Sequence, residues 1–248
     1  MFSGETSTNL GTDATQPGRH ATRRTWGIAL AAGLVAGVAA WLAGEGILRA
    51  YSSALRPAMK PVPELQDSLD LLKARVDSGA AAVAATGGLI GFALGLAGGV
   101  ARRSAKSAFG TGLLGLIVGG LGGWGMARLV VPGVYANLDP QSSDLVVPLM
   151  AHIAVWSVAG LAGGLAYGLG ASGKGLWPRT VVGGVVGAAL ATVAYEVAGA
   201  ILLPTHRTHL PVAGSPEARA LAQILVGLGT AAGVIAAADE AKKKPARA

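Results

Sequence analysis

The sequence predicts an all-α integral membrane protein, a six-helix bundle built from three tandem helical hairpins with Gly-zipper packing. Three observations carry that prediction. Charged residues make up only 13% of the 248 positions, against about 25% in soluble domains, so too few charges remain to cover a globular surface in water. Six apolar runs are each long enough to cross a hydrocarbon core, which takes about 20 residues. Glycine, at 39 residues, recurs inside those runs at a spacing of four. The high apolar content (52%) excludes a disordered chain. The absence of cysteine excludes disulfides, thiolate nucleophiles and Cys-ligated metals.

Taken in chain order, residues 1–25 are polar and end in Arg23-Arg24, and they read as a disordered cytoplasmic tail. The first span, Trp26–Leu48, holds one charge, Glu45. It is too long for the apolar core of a cleaved signal peptide and reads as a retained anchor. A segment follows in which Leu65, Leu69, Leu72 and Val76 recur among Glu64, Asp67, Asp70, Lys73 and Asp77. This is the pattern of an amphipathic helix over 64–77, expected on the outer surface or capping the bundle mouth. Ala80–Ala101 is the second span and is uncharged; Phe109–Val131, the third, holds only Arg128. Leu145–Leu169 is the uncharged fourth, Thr180–Leu203 the fifth with Glu196, and Ala220–Ala238 the uncharged sixth. The membrane domain is thus 26–238, and 239–248 reads as a basic cytoplasmic tail.

Orientation follows from the basic residues. Arg19, Arg23 and Arg24, then Arg102, Arg103 and Lys106, then Lys174 and Arg179, then Lys242, Lys243, Lys244 and Arg247 all fall on one side of the alternating topology. By the positive-inside rule both termini are expected in the cytoplasm, and this topology with an Ala/Gly-rich, Cys-free composition suggests a bacterial-type inner membrane. Trp26, Phe109 and Trp177 sit beside these clusters, where amphipathic rings anchor helices. Topology and anionic lipid account for the net charge of +7, so no nucleic-acid partner is expected.

The expected helix-packing positions are Gly87, Gly91, Gly95 and Gly99 in the second span. In the third they are Gly115, Gly119 and Gly123, and in the fourth Gly160, Gly164 and Gly168. A four-residue period keeps them on one helix face, and small faces let helices approach closely in lipid, where no hydrophobic force draws them together. The even spans share a motif. Gly95-Leu-Ala-Gly-Gly-Val-Ala101 matches Gly160-Leu-Ala-Gly-Gly-Leu-Ala166, and Gly229-Thr-Ala-Ala-Gly-Val-Ile235 is a weaker copy. The odd spans align on Trp41, Trp124 and Tyr195. In that frame Glu45, Arg128 and Glu196 occupy equivalent faces of the three odd helices.

Ionisable residues inside a membrane point to function or to ion pairing. The sequence suggests a polar cluster of Glu45, Arg128, Glu196 and His152, with Gln223 at similar depth. In it Glu196 pairs with Arg128, while Glu45 joins them or pairs with Arg49. One reading is a site for an ion, proton or small solute, and the other is a buried ion pair that fixes helix register. Two motif matches are declined. Gly168-Leu-Gly170-Ala-Ser-Gly173 fits G-x-G-x-x-G but lacks the preceding strand that nucleotide binding needs. His206 and His209 supply two positions of a zinc site but have no adjacent third ligand. No catalytic constellation, metal site, cofactor or nucleotide is expected. The expected partners are the lipid bilayer and other membrane helices or a second copy. The leading functional reading is a non-enzymatic structural or accessory membrane subunit; the alternative is a small transporter or channel using the Glu/Arg cluster.

Overall fold

A computed structural model describes residues 17–54, 65–136, 146–172, 175–206, 208 and 210–243. Every regular element among them is an α-helix: α1 (Pro17–Ala50), α2 (Leu65–Ala101), α3 (Ala105–Ala136), α4 (Val146–Ser172), α5 (Trp177–Leu202) and α6 (Pro216–Lys243). All six are long and apolar enough to cross a membrane. Residues 1–16 of the expected N-terminal tail and 244–248 of the C-terminal one lie outside the described residues. The helices run past the expected spans at both termini, reaching back to Pro17 and on to Lys243.

The segment read as a separate amphipathic helix is the first part of α2. At 37 residues, α2 is about 55 Å long, well beyond a hydrocarbon core of about 30 Å. No Gly or Pro separates Leu65 from Ser78, so nothing in the sequence interrupts the helix. Its apolar stripe meets the bundle gradually: Leu65 and Leu69 are exposed, Leu72 packs against the core and Val76 is buried within it.

The even helices form the centre of the bundle. α4 touches both α2 and α6, and α2 and α6 meet only briefly. Each odd helix lies in a groove between two even ones: α1 between α6 and α2, α3 between α2 and α4, and α5 between α4 and α6. No two odd helices are in contact among the described residues. The end of the bundle holding Pro17 and Lys243 is called here the termini end, and the opposite one the distal end.

Burial is sorted by size, with small side chains inside and large ones outside. The buried stripe of α3 is Ala108, Gly112, Gly115, Gly119, Gly123, Ala127, Val131 and Val134, while Leu113, Ile117 and Leu121 face outward. In lipid an outward leucine loses nothing, and the gain comes from close packing of backbones. On α2 and α3 the approach is backbone to backbone. A Cβ added at Gly87 would meet the Gly119 carbonyl, one at Gly91 the Gly115 carbonyl, one at Gly95 the Thr111 carbonyl and one at Gly99 the Ala108 backbone. At Gly123 it would meet the Val83 carbonyl. The α4–α5 crossing repeats this, with Gly160 against the Gly184 carbonyl, Gly164 against the Thr180 carbonyl and Gly168 against the Trp177 backbone and the Thr180 hydroxyl. Gly183 and Gly187 meet the carbonyls of Gly233 and Gly229 on α6, and Gly33 meets that of Gly227. Two buried threonines are satisfied within their own helices, Thr86 and Thr192 donating to the carbonyls of Ala82 and Ala188 one turn back, whereas the buried Thr230 hydroxyl has no protein partner.

The α2–α3 connection takes three residues, 102–104. Arg103 adopts the left-handed conformation, with φ of 58°. The Ser104 N–H bonds to the Gly99 carbonyl and the Arg103 N–H to the Val100 carbonyl, which is the Schellman pattern of a helix end. Ser104 then caps α3 directly, its Oγ accepting from the Ser107 N–H at 3.2 Å. At the same end of the bundle, Trp26 Nε1 donates to Asp239 Oδ2 at 2.6 Å, joining the first helix to the last.

Candidate functional site

In the distal half of the bundle, three side-chain pairs close three different helix seams. On α1, Glu45 receives two hydrogen bonds from Arg219 of α6, from Nε to Oε1 at 2.6 Å and from Nη2 to Oε2 at 3.0 Å. Both side chains are mostly buried (15% and 13% exposed), and the fork geometry suits a carboxylate. Arg128 of α3 pairs with Asp77 of α2 at 2.6 Å and lies over the Trp124 ring, 5.0 Å from its centroid. This pair is more exposed, 43% for Arg128 and 22% for Asp77. On α5, Glu196 Oε1 sits 2.6 Å from His152 Nδ1 of α4.

The expected pair of Glu196 with Arg128 does not form, and Glu45 joins neither. The reason is topological. Arg128, Glu196 and Glu45 lie on α3, α5 and α1, and among the described residues the odd helices do not touch; an even helix stands between them. Glu45 bonds Arg219, which is on α6. His152 does join Glu196, as a member of the same expected cluster. Two of the partners, Arg219 and Asp77, were not among the expected site residues. Arg219 stands in the first turn of α6, just ahead of the charge-free run, and Asp77 was assigned to a surface helix. The one cue in the sequence was sign: Glu45 needs a cation and Arg128 an anion at matching depth on an even helix.

Between the Glu45–Arg219 and Glu196–His152 pairs lies a small chamber of about 30 Å³, lined by His152, Trp156, Tyr195, Arg219 and Gln223. That is room for about two waters. Trp156 Nε1 and Gln223 Oε1 are buried there without a protein hydrogen-bond partner, an arrangement that costs free energy unless a guest supplies the missing bonds. Pro211, Val212 and Ala213 of the α5–α6 loop roof the chamber. The residues below hold that loop by its carbonyls. His152 Nε2 bonds the Leu210 carbonyl at 2.9 Å, Arg219 Nη1 donates to the Ala213 carbonyl at 2.7 Å, and the Tyr195 hydroxyl reaches the Thr208 carbonyl at 3.4 Å. Ser215 caps α6 just beyond, accepting from the Ala218 N–H, and Pro216 fills the first helical position. The cap places Arg219 on the turn that faces Glu45.

A second, much larger concavity lies on the lipid-facing side. It is an apolar groove of about 1370 Å³, floored by α6 (Leu228, Ala232, Ala236) and walled by α1 (Leu30) and α5 (Val186, Leu190). Arg179 and Glu240 stand at its termini-end mouth. Gln223 lines the chamber rather than the groove. No group of three His, Asp or Glu able to hold a metal occurs among the described residues; His206 is among them and His209 lies outside. No family model, curated protein or solved structure matches the chain.

Proposed function

We propose that this polytopic membrane protein is a non-enzymatic scaffold or accessory subunit that receives a transmembrane helix of a partner protein in the groove between α1, α5 and α6. The groove is the observation that carries the reading. Its lining extends along α6 from Leu225 to Glu240, about 22 Å of helix, most of a hydrocarbon thickness. On α6 the small residues Ala232 and Ala236 form its floor, and small residues admit a helix to close range, while Gly183, Gly187, Gly229 and Gly233 at its edge hold α5 and α6 together. Arg179 and Glu240 offer one charge of each sign at the mouth, where a partner's headgroup-level residues would lie. The charges of the odd helices are already engaged by their even neighbours, which suits a structural role.

A threefold internal repeat supports the same picture. Each odd helix packs on the even helix of its own hairpin and on that of the preceding one, in cyclic order. Each ion pair spans two different hairpins. In the matched frame His152 and Arg219 precede Gly160 and Gly229 by eight and ten residues, whereas Asp77 precedes Gly95 by eighteen, so the third pair has moved outward. The cytoplasmic placement of both termini rests on the twelve basic residues of the alternate segments, and the bacterial-type inner membrane on that topology with the Ala/Gly-rich, Cys-free composition.

The test is photocrosslinking from position 186 or 228 in the native membrane. A discrete protein adduct, lost when Ala232→Trp fills the groove, supports the scaffold reading; lipid adducts alone, or an adduct indifferent to Ala232→Trp, overturn it. The chamber favours a second reading, a small transporter for a proton or small polar solute. Proteoliposome flux that Glu196→Gln abolishes would establish that reading instead.

A further inference from the structure

His152 makes contacts that fix a count of protons. Its Nε2 faces the Leu210 carbonyl at 2.9 Å, and a carbonyl oxygen only accepts, so Nε2 carries a hydrogen. Its Nδ1 lies 2.6 Å from Glu196 Oε1, a distance that requires a proton between nitrogen and oxygen. Whether that proton rests on the imidazole or on the carboxyl, the pair as a whole holds one proton more than a neutral histidine beside a carboxylate, and it is electrically neutral. We propose that His152 and Glu196 form a one-proton binding site, and that this proton latches the α5–α6 loop over the distal chamber. The proposal does not rest on the scaffold reading.

Loss of the proton leaves one hydrogen for two acceptors. If it stays on Nε2, the Nδ1 lone pair faces the Glu196 carboxylate. If the ring shifts it to Nδ1, the Nε2 lone pair faces the Leu210 carbonyl and the latch bond is gone. Either outcome leaves a net negative charge beside a histidine side chain that is only 4% exposed, where an uncompensated charge is costly. Opening the roof admits water to that charge. It also exposes Trp156 Nε1 and Gln223 Oε1, which lack partners in the protein.

The other titratable and charged groups around the pair come from the helices and the loop packed against it. From α5 the Tyr195 ring meets His152 edge-on at 5.9 Å. From α6 Arg219 is already held by Glu45 of α1 and by the Ala213 carbonyl, and Gln223 carries no charge. In the loop His206 has a buried Nδ1. Asp77 of α2 and Arg128 of α3 neutralise each other in the neighbouring seam.

Because the chain has no cysteine, a single introduced thiol reports roof opening without background. Ala213→Cys places it in the roof, at a position only 7% exposed, and Ser52→Cys, on an exposed turn, corrects for the pH dependence of thiol chemistry. The measurement is the ratio of their labelling rates with a methanethiosulfonate reagent, in the purified full chain, from pH 5 to 9. With the native pair the ratio should rise about tenfold or more, as a one-proton linkage allows. In Glu196→Gln the amide N–H replaces the shared proton, so the ratio should stay low at every pH. In His152→Leu it should stay high at every pH. A flat ratio in the native background overturns the proposal, as does an unchanged pH profile in Glu196→Gln. If Ala213→Cys does not fold, Val212→Cys lines the same chamber and carries the same expectations.

Discussion

Arg219, in the first turn of α6, grips Glu45, near the end of α1, through two parallel hydrogen bonds of 2.6 and 3.0 Å. The first and last helices of the chain are therefore fastened at the distal end, and Trp26 with Asp239 fastens them at the other. Removing one member of a buried ion pair strands the other charge, which costs about 3–5 kcal/mol. Arg219→Ala should lower stability by about that much, and the double variant Glu45→Leu/Arg219→Met should recover most of the loss. Thermal unfolding in mild detergent checks both.

Asp77 and Arg128 form a pair of the same length but greater exposure. Exposed pairs contribute about 0–1 kcal/mol, and the Trp124 ring continues to hold the guanidinium when the carboxylate is gone. Asp77→Asn should therefore cost less than about 1 kcal/mol. The same unfolding measurement on Asp77→Asn and Arg219→Ala should separate the two pairs clearly.

Glycines divide by what a side chain would meet. At Gly91 a Cβ runs into the Gly115 carbonyl, so even Gly91→Ala forces α2 and α3 apart, and Gly91→Leu should cost about 3 kcal/mol or more. At Gly125, in the interior of α3, a Cβ meets nothing within 4 Å. Gly125→Ala should stabilise by up to about 1 kcal/mol, through helix propensity alone. Opposite signs for the two alanine variants in one melting assay are the expected outcome.

Arg103 sits at φ 58° at the end of α2, a conformation that costs an L-residue roughly 1 kcal/mol. Glycine adopts it freely, so Arg103→Gly should raise stability by about 1 kcal/mol, read as a higher midpoint in chemical denaturation.

The six helices were legible because charge is excluded over membrane-length runs, and the close-packed glycines were legible because their spacing of four matches the turn of a helix. Both are properties of one segment read along its own length. The partners of Glu45, Arg128 and Glu196 were not legible from those faces. Register identifies the side of a helix on which a residue lies, and not which helix lies opposite. The alignment of the odd spans put the three charges on equivalent faces, and that alignment suggested a common cluster. An even helix beside each of them supplies a partner instead. Asp77 was hidden for a related reason: an amphipathic pattern marks a helix but not whether that helix continues into the next one. Of the chamber only His152 and Gln223 were legible, by their similar depth, since it joins residues of several helices to a loop.

The most direct test of this arrangement is charge exchange at Glu45. Glu45→Arg alone should destabilise the protein by setting two cations face to face, and adding Arg219→Glu should restore the melting temperature, because the fork is rebuilt with its ends exchanged. Adding Arg128→Glu to Glu45→Arg should restore nothing, since α1 and α3 do not touch. Rescue by Arg128→Glu in place of Arg219→Glu would contradict the central claim that each odd-helix charge is held by the even helix that precedes it in cyclic order.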